Sequence, residues 1–308
     1  MSGVLDGKVA IVTGAARGIG KAIAERFADQ DAQVLLVDSG ASIDGRERQP
    51  GLVDSVAASI GESARALELD ISSPEAAREA VELAKETFGG VDILVNNAAI
   101  LRDAMVFKGD PVDFDAVLRT NLSAVYYLIN AASPLLRAQA GEGRTGGRIL
   151  SMVSSAGIYG NFGVAAYASA KAGLLGLTRV CALELARAGV TANALMPFAA
   201  TRVTESIPPA NDMLKQYRER ALKIPADSVA VAASWLCSEM AGHVTGQLLG
   251  VRGREVFLMS QPRPVATVTA DSGGWSEHDL AEAADNAFSE WLVESQTDLE
   301  TFNTEPVL

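Results

Sequence analysis

The chain has 308 residues, 48% apolar and 21% charged, the profile of a soluble globular protein with material for one large α/β domain or two smaller ones. A net charge of −12 argues against nucleic acid or an anionic membrane surface as a main partner. No apolar run is long enough to span a bilayer, the start MSGVLDGK lacks a secretion-signal pattern, and two cysteines in apolar helical surroundings, Cys181 and Cys237, suggest no disulfide framework, so a cytoplasmic protein is expected.

Strand-length apolar runs alternate with amphipathic helical stretches along the chain. KVAIVT (8–13) predicts a first strand, which runs into the glycine-rich TGAARGIG (13–20) and a helix near 18–29. AQVLLVD (32–38) follows as a strand, then SGASIDGRERQPG (39–51), a polar insertion too glycine-rich and charged for a core, and a helix near 51–60. RALELD (65–70) is the third strand; SSPE then places Pro74 at the first position of a helix over 74–88. VDILVN (91–96), GRILSMV (147–153), VTANALM (190–196) and GQLLGV (246–251) complete the strands, with helices near 111–139, 163–187 and 227–240 between them.

Strands that are apolar throughout and alternate with helices form a parallel sheet covered on both faces. The expected fold class is therefore α/β, a doubly wound Rossmann-type fold with a seven-stranded parallel sheet, plus a C-terminal extension. The boundary is placed at 260: cofactor and substrate sites together in 1–260, an acidic extension in 261–308. That extension holds ten acids against Arg263 alone, nine of the twelve net negative charges. Within it, SEHDLAEAADNAFSEWL (276–292) has Ser276 and Asp279 spaced as a capping box and a stripe of Leu280, Ala284, Phe288 and Trp291, expected to pack on the domain or a neighbouring subunit.

Polar residues gather where these strands end. Asp38, Asp70 and Asn96 close the second, third and fourth strands, Ser154 follows the fifth, and Pro197 follows the sixth. Open parallel sheets bind ligands at such carboxyl ends. Gly14, Gly18 and Gly20 allow a tight turn and close approach of backbone to a pyrophosphate at a helix N-terminus. Tyr167 and Lys171 share one face of the helix beyond the fifth strand; on spacing alone, the favoured reading is a partly exposed face with a snorkelling lysine.

With TGAARGIG, NNAA (96–99), Asn121 in RTNLSAVYYL, SSAGIYGNFGVAAYASAK (154–171) and MPFAAT (196–201), the chain resembles the short-chain dehydrogenase/reductase family over about residues 6–251. NNAAILRD, GIYGNFG, the insertion after Asp38 and the long tail are similar to the subgroup of (3R)-hydroxyacyl-CoA and hydroxysteroid dehydrogenases. The resemblance implies a catalytic tetrad of Asn121, Ser154, Tyr167 and Lys171, with Ser155 the second choice for the serine. It implies cofactor contacts at Gly14, Arg17, Gly18, Ile19, Gly20, Asp38, Asp70 and Ile71, and at Asn97, Ala98, Ala99, Tyr167, Lys171, Pro197 and Thr201. Ala99 and Phe198 stand where the family usually has glycine, which alters the loop near the nicotinamide.

The chemistry is intelligible from the residue types. Removing hydride from a secondary alcohol requires a base for the hydroxyl proton, and the reverse reaction an acid at the same place. Bringing a phenol near neutrality takes roughly 3 pKa units, about 4 kcal/mol, part of which an ammonium one helical turn away would supply. In this reading Ser154 holds the substrate oxygen and Asn121 keeps a water in a proton path to Lys171. Asp38 can take the adenosine ribose hydroxyls and repel a 2′-phosphate, so NAD is expected over NADP, with Arg17 pulling the other way.

Leu101, Tyr159, Phe162 and Phe198 suggest an apolar substrate pocket for a hydroxyacyl thioester or steroid-like alcohol or ketone, unless two of the aromatics only pack the lid. The expected activity is NAD-dependent alcohol–ketone interconversion. Alternatives are an NADPH-dependent 3-ketoacyl reductase and a non-catalytic NAD-binding sensor or scaffold. His243 and His278 are isolated, so no metal site is expected. Family resemblance suggests a homo-oligomer, tetramer or dimer, built through helices 111–139 and 163–187, with no nucleic acid or membrane as partner.

Overall fold

In the computed structural model, which describes residues 2–144, 146–208 and 210–308, each early strand hands the chain to a helix that carries it back across the sheet. The chain runs β1 (Val9–Thr13), α1 (Gly18–Ala28), β2 (Gln33–Asp38), α2 (Leu52–Ile60), β3 (Ala64–Glu68), α3 (Pro74–Phe88) and β4 (Ile93–Asn96). It continues through α4 (Pro111–Leu118), α5 (Ala124–Gly141), β5 (Arg148–Met152), α6 (Ala156–Tyr159), α7 (Ala165–Glu184) and β6 (Thr191–Phe198). Then come α8 (Arg202–Glu205), α9 (Asp212–Ala221), α10 (Asp227–Cys237), β7 (Leu248–Arg252), β8 (Glu255–Leu258), α11 (Glu277–Phe288) and α12 (Asp298–Thr301).

The strands form one sheet in the order β3-β2-β1-β4-β5-β6-β7-β8, parallel from β3 to β7. The order reverses between β1 and β4, which opens a crevice above their carboxyl ends. Two apolar layers cover the sheet. Ile23, Ala24 and Phe27 of α1 and Val229, Ala233 and Leu236 of α10 pack on one face; Ala77, Ala80 and Ala84 of α3, Leu128 of α5 and Leu174 of α7 pack on the other.

The sheet has eight strands rather than the expected seven. Residues 252–255 make a tight hairpin, with Gly253 at φ +59° as its first turn residue, and β8 pairs antiparallel with β7. Only Phe257 of β8 packs against the core, while Val256 and Leu258 are exposed, so this edge strand alternates weakly. The helix expected over 111–139 is two helices joined by a π-helical turn, Arg119–Ser123. The cause is local: buried Asn121 accepts from the Ile100 amide at 2.8 Å and donates to the Ile100 carbonyl at 2.9 Å, which draws the turn wide.

The expected boundary after 260 is crossed by the end of the chain. Residues up to Met259 form one compact unit with Thr297–Leu308, while Ser260–Gln296 form a second. The second holds α11, whose Ser276 hydroxyl caps the Asp279 amide at 3.1 Å and in which no residue is fully buried. The terminal segment is held by Arg220, which pairs with Glu305 at 2.8 Å, by Arg252, which donates to Thr304 Oγ1 at 3.0 Å, and by Phe302, whose ring lies 4.6 Å from Phe198 and 5.9 Å from Phe257. Among the described residues no helix is long and apolar enough to cross a membrane.

Candidate active site

Two cavities open beyond the carboxyl ends of the strands and share Tyr167, Pro197, Thr201, Ile19, Val153 and Val203 in their walls. The smaller, about 200 Å³, lies over β1, β2 and β4 and is lined by Gly14, Arg17, Gly18, Asp38, Asp70, Ile71, Asn97, Ala98, Ala99 and Lys171. Of the thirteen cofactor contacts that the resemblance implies besides Tyr167 and Lys171, Gly20 alone is not in this wall. Its role is packing: a Cβ there would stand 2.1 Å from the Gly14 carbonyl oxygen, so glycine lets α1 close on β1. Gly14 has φ +65°, and a Cβ on it would meet Ala98 Cα and Asn97 Nδ2 at 2.8 Å.

The N-terminus of α1 is built for an anion. Arg17 at its N-cap makes no side-chain cap bond and the first turn carries no acid, whereas α3 and α4 are capped by Ser73 and Asp110 and carry Glu75 and Asp113. The free amides and helix dipole of α1 therefore face the cavity without an internal partner, which fits a dinucleotide pyrophosphate. Asn97 donates to the Thr13 carbonyl at 2.9 Å and the Gly14 carbonyl at 3.1 Å, tying the end of β4 to the glycine loop.

At the β2 end of this cavity, the Asp38 carboxylate accepts from the Ala16 amide at 2.9 Å and the Gly40 amide at 2.7 Å. The insertion 39–51 is a wall of this cavity through Ser39, Ala41, Ser42 and Ile43. It is pinned by the Leu101 amide on the Ile43 carbonyl (2.8 Å), by Arg46 on Asp113 (2.9 Å) and by Arg48 on Asp70 (2.8 Å). Arg17 is drawn into it, donating to the Ala41 carbonyl at 3.2 Å and to Gln49 at 2.9 Å. Arg202 donates to the same carbonyl at 3.1 Å.

The larger cavity, about 440 Å³, lies beside Ser154 and Tyr167. The helix α7 sets Tyr167 and Lys171 one turn apart, with the Lys171 Nζ 5.6 Å from the phenol ring centroid. Lys171 is buried and donates to the Met152 carbonyl at 2.7 Å, and burial pushes its pKa down to about 8. The phenol of Tyr167 is pushed up to about 12, chiefly by burial, with the Asp298 and Asp103 carboxylates adding and the hydrogen bond with Ser154 opposing. Lys171 is not among the groups that shift the phenol; burial and the two carboxylates set the direction.

The two serine candidates separate cleanly. Ser154 stands in the cavity wall with Tyr167 and lowers the phenol's pKa, while the buried Ser155 hydroxyl donates to Asp298 at 2.7 Å. Asn121 lies under the site with both side-chain polar atoms engaged by Ile100.

Of the expected substrate residues, Leu101, Phe162 and Phe198 line the larger cavity, but Tyr159 does not. Its ring packs edge-on against Phe302 at 5.7 Å, and Phe198 packs on Phe302 as well, so these two aromatics anchor the tail. Sequence reasoning missed Asp103, Asp298 and Glu300, all in this wall; Tyr217, also in it, lies in the segment 198–225 expected beyond the sixth strand. Asp298 is one of ten acids in the tail, and nothing local distinguishes it.

The comparisons with known proteins agree with this architecture. A family profile described as Enoyl-(Acyl carrier protein) reductase matches residues 14–253. The 3-oxoacyl-[acyl-carrier-protein] reductase of Vibrio cholerae is 36% identical over 81% of this chain and 97% of its own length. The peroxisomal multifunctional enzyme type 2 of Drosophila melanogaster is 34% identical over 88% of this chain and 45% of its own length. The crystal structure of the 3-ketoacyl-(acyl-carrier-protein) reductase of Brucella melitensis complexed with NADH superposes with a TM-score of 0.72 at 31% identity, covering 81% of this chain and 98% of that one.

Proposed function

The chain belongs to the short-chain dehydrogenase/reductase family, nucleotide-binding oxidoreductases acting on CH–OH groups, and we propose that it interconverts a secondary alcohol and a ketone on a largely apolar substrate with NAD as its nicotinamide. The observation that carries this reading is the place of Tyr167, in the shared wall of the two cavities with Ser154 beside it and Lys171 one turn on.

When bound, the nicotinamide supplies the hydride acceptor or donor. The remaining work falls to the chain itself. Ser154 orients the substrate oxygen toward the phenol. Tyr167 exchanges the hydroxyl proton at its phenolic oxygen, and at rest it is protonated at neutral pH, ready to donate to a ketone. Its use as a base is coupled to positive charge, from Lys171 and from the neighbouring cavity, which offsets the desolvation cost of phenolate. Lys171 sits where it also reaches the ribose side of the smaller cavity. The Asn121 side chain is committed to the Ile100 backbone, which fixes the floor of the site and leaves neither of its polar atoms free to hold a water in a proton path.

Asp38 in the adenosine corner and the engagement of Arg17 by the insertion support NAD. A second reading, an NADPH-dependent 3-ketoacyl reductase, is favoured by the two guanidiniums of Arg17 and Arg202, which meet on the Ala41 carbonyl beside Asp38. The exposed apolar residues Tyr126 on α5 and Val180 and Leu183 on α7 support a homo-oligomer built on those helices.

Tyr167→Phe tests the proposal. It should retain NADH binding, read by nicotinamide fluorescence, and lose turnover of secondary alcohols about 10²–10⁴-fold. Unchanged turnover would remove Tyr167 from the chemistry, and a wild type that binds NADH but turns over no alcohol or ketone would support a non-catalytic nucleotide-binding sensor or scaffold.

A further inference from the structure

We infer that the C-terminal segment is a clasp that holds α9 over the larger cavity, and that Arg220 is the positioning residue through which it acts on substrate binding. The inference rests on the reading of the 440 Å³ cavity as the substrate site.

Three observations carry it. The first is how little else holds α9. It is ten residues long, and a helix of that length is marginal in water unless something packs on it. Its outer face, Asp212, Lys215, Gln216 and Glu219, is exposed, and only Tyr217 and Ala221 are buried. Neither belongs to the two apolar layers on the sheet. They form a cluster of their own with Leu299 of α12, joined by Leu214, Ile207 and Phe302. The helix thus packs chiefly on its neighbour α8 and on the C-terminal α12.

The second is that the C-terminal segment is fixed to the body independently of α9. At one end the Asp298 amide donates to the Gly160 carbonyl at 3.1 Å, and Asp298 accepts the Ser155 hydroxyl at 2.7 Å. At the other, Arg252 of β7 donates to Thr304 Oγ1 at 3.0 Å, and the Arg254 amide donates to the Val307 carbonyl at 2.8 Å. Between these anchors Arg220 of α9 reaches across. Its Nε meets Glu305 at 2.8 Å, and its Nη1 donates to the Asn303 backbone carbonyl at 3.1 Å and side-chain oxygen at 2.9 Å. Lys223, just past the helix, adds an ion pair with Glu305 at 3.7 Å. Three contacts from one planar guanidinium fix an orientation as well as a distance. Since the segment is already fixed, what these bonds position is α9.

The third is what α9 carries. Met213, Leu214, Tyr217 and Ala221 line the larger cavity, as does Leu299 of α12. None of them borders the smaller cavity, and Arg220 borders neither. Loosening α9 therefore alters the wall around the substrate and leaves the nucleotide site as it is. The family match ends at residue 253, so the clasp is an addition of this chain to the domain that defines the family.

The test uses the full-length enzyme, saturating NAD or NADP, and whichever of 2-octanol, 2-decalol and 3-hydroxybutyryl-CoA the wild type turns over. Arg220→Glu sets a carboxylate against Glu305 and removes the bonds to Asn303. KM for the alcohol should rise about fivefold to fiftyfold, with kcat and the NADH dissociation constant within about twofold of wild type. Adding Glu305→Arg restores an ion pair and should bring KM at least about halfway back on a logarithmic scale. In the enzyme without ligands, backbone hydrogen exchange across 212–221 should quicken in Arg220→Glu, while α1 and α10 exchange as in wild type. An unchanged KM, a rise shared equally by NADH, or a double variant no better than Arg220→Glu overturns the inference. So does unaltered exchange across 212–221, a readout that needs no turnover. A wild type inert toward all three substrates with both nucleotides overturns the parent reading of the cavity and, with it, the role of Arg220 in substrate binding; exchange across 212–221 then decides the clasp by itself.

Discussion

Two ionisable residues show how the site sets its own chemistry. Lys171 is 3% exposed and its pKa falls to about 8 from 10.5, so the folded state holds this proton less tightly than the unfolded chain. Below about pH 8 the full desolvation cost is present, about 3 kcal/mol; stability then rises with pH until about 10.5, where the cost is gone. Lys171→Met removes that cost and one hydrogen bond to Met152, worth about 1 kcal/mol. The variant without nucleotide should therefore melt roughly 4–8 °C higher than wild type at pH 7, with the gap closing by pH 10.5, and it should be inactive. A lower melting point for Lys171→Met at pH 7 would contradict the buried charge. At the other end of the cleft, Asp38→Ala should narrow the NAD-to-NADP ratio of kcat/KM by about tenfold to a hundredfold, the worth of a charge-assisted hydrogen bond. An unchanged ratio would remove Asp38 from nucleotide selection. The pair at 167 and 171 was legible in the sequence because four residues on a helix define one face; the elevated phenol pKa was not, because it depends on burial and on Asp103 and Asp298.

Among the elements, the break between α4 and α5 has the clearest local cause. Its π-helical turn exists because Asn121 exchanges two hydrogen bonds with the Ile100 backbone, at 2.8 and 2.9 Å. Asn121→Ala leaves a buried amide and carbonyl unmet and should cost about 2–4 kcal/mol, read as a lower denaturant midpoint. Amide exchange at Ile100 should quicken with it, since that proton then has no side-chain acceptor; exchange as slow as in wild type would refute this role. No periodicity betrays such a turn, for the apolar spacing runs on through it, and only the meeting with Ile100 distinguishes it. The insertion 39–51 is a similar case. Its composition excludes it from the core, as expected, but its place as a wall of the smaller cavity arises from contacts with Leu101, Asp113 and Asp70. β8 escaped notice because it is four residues long and only Phe257 of it packs inward.

At the scale of the molecule, exposed apolar residues on α5 and α7 suit a self-association face. The variant Leu183→Arg, at a residue 78% exposed in the single chain, should reduce the mass seen by light scattering to that of a smaller species. An unaltered mass would exclude that part of α7 from the contact. What the sequence by itself determined is the order of strands and helices, the doubly wound class, the glycine loop and the Tyr167–Lys171 face, because each is written in spacings shorter than a single element. Only the tertiary structure assembles the wall of the larger cavity. Ser155 and Asp298 are 143 residues apart, and Phe198, Phe257 and Phe302 meet from three separate segments. No local pattern separates one tail carboxylate from nine others; burial against a distant serine does, because the loss of water is what gives that oxygen its need for a partner.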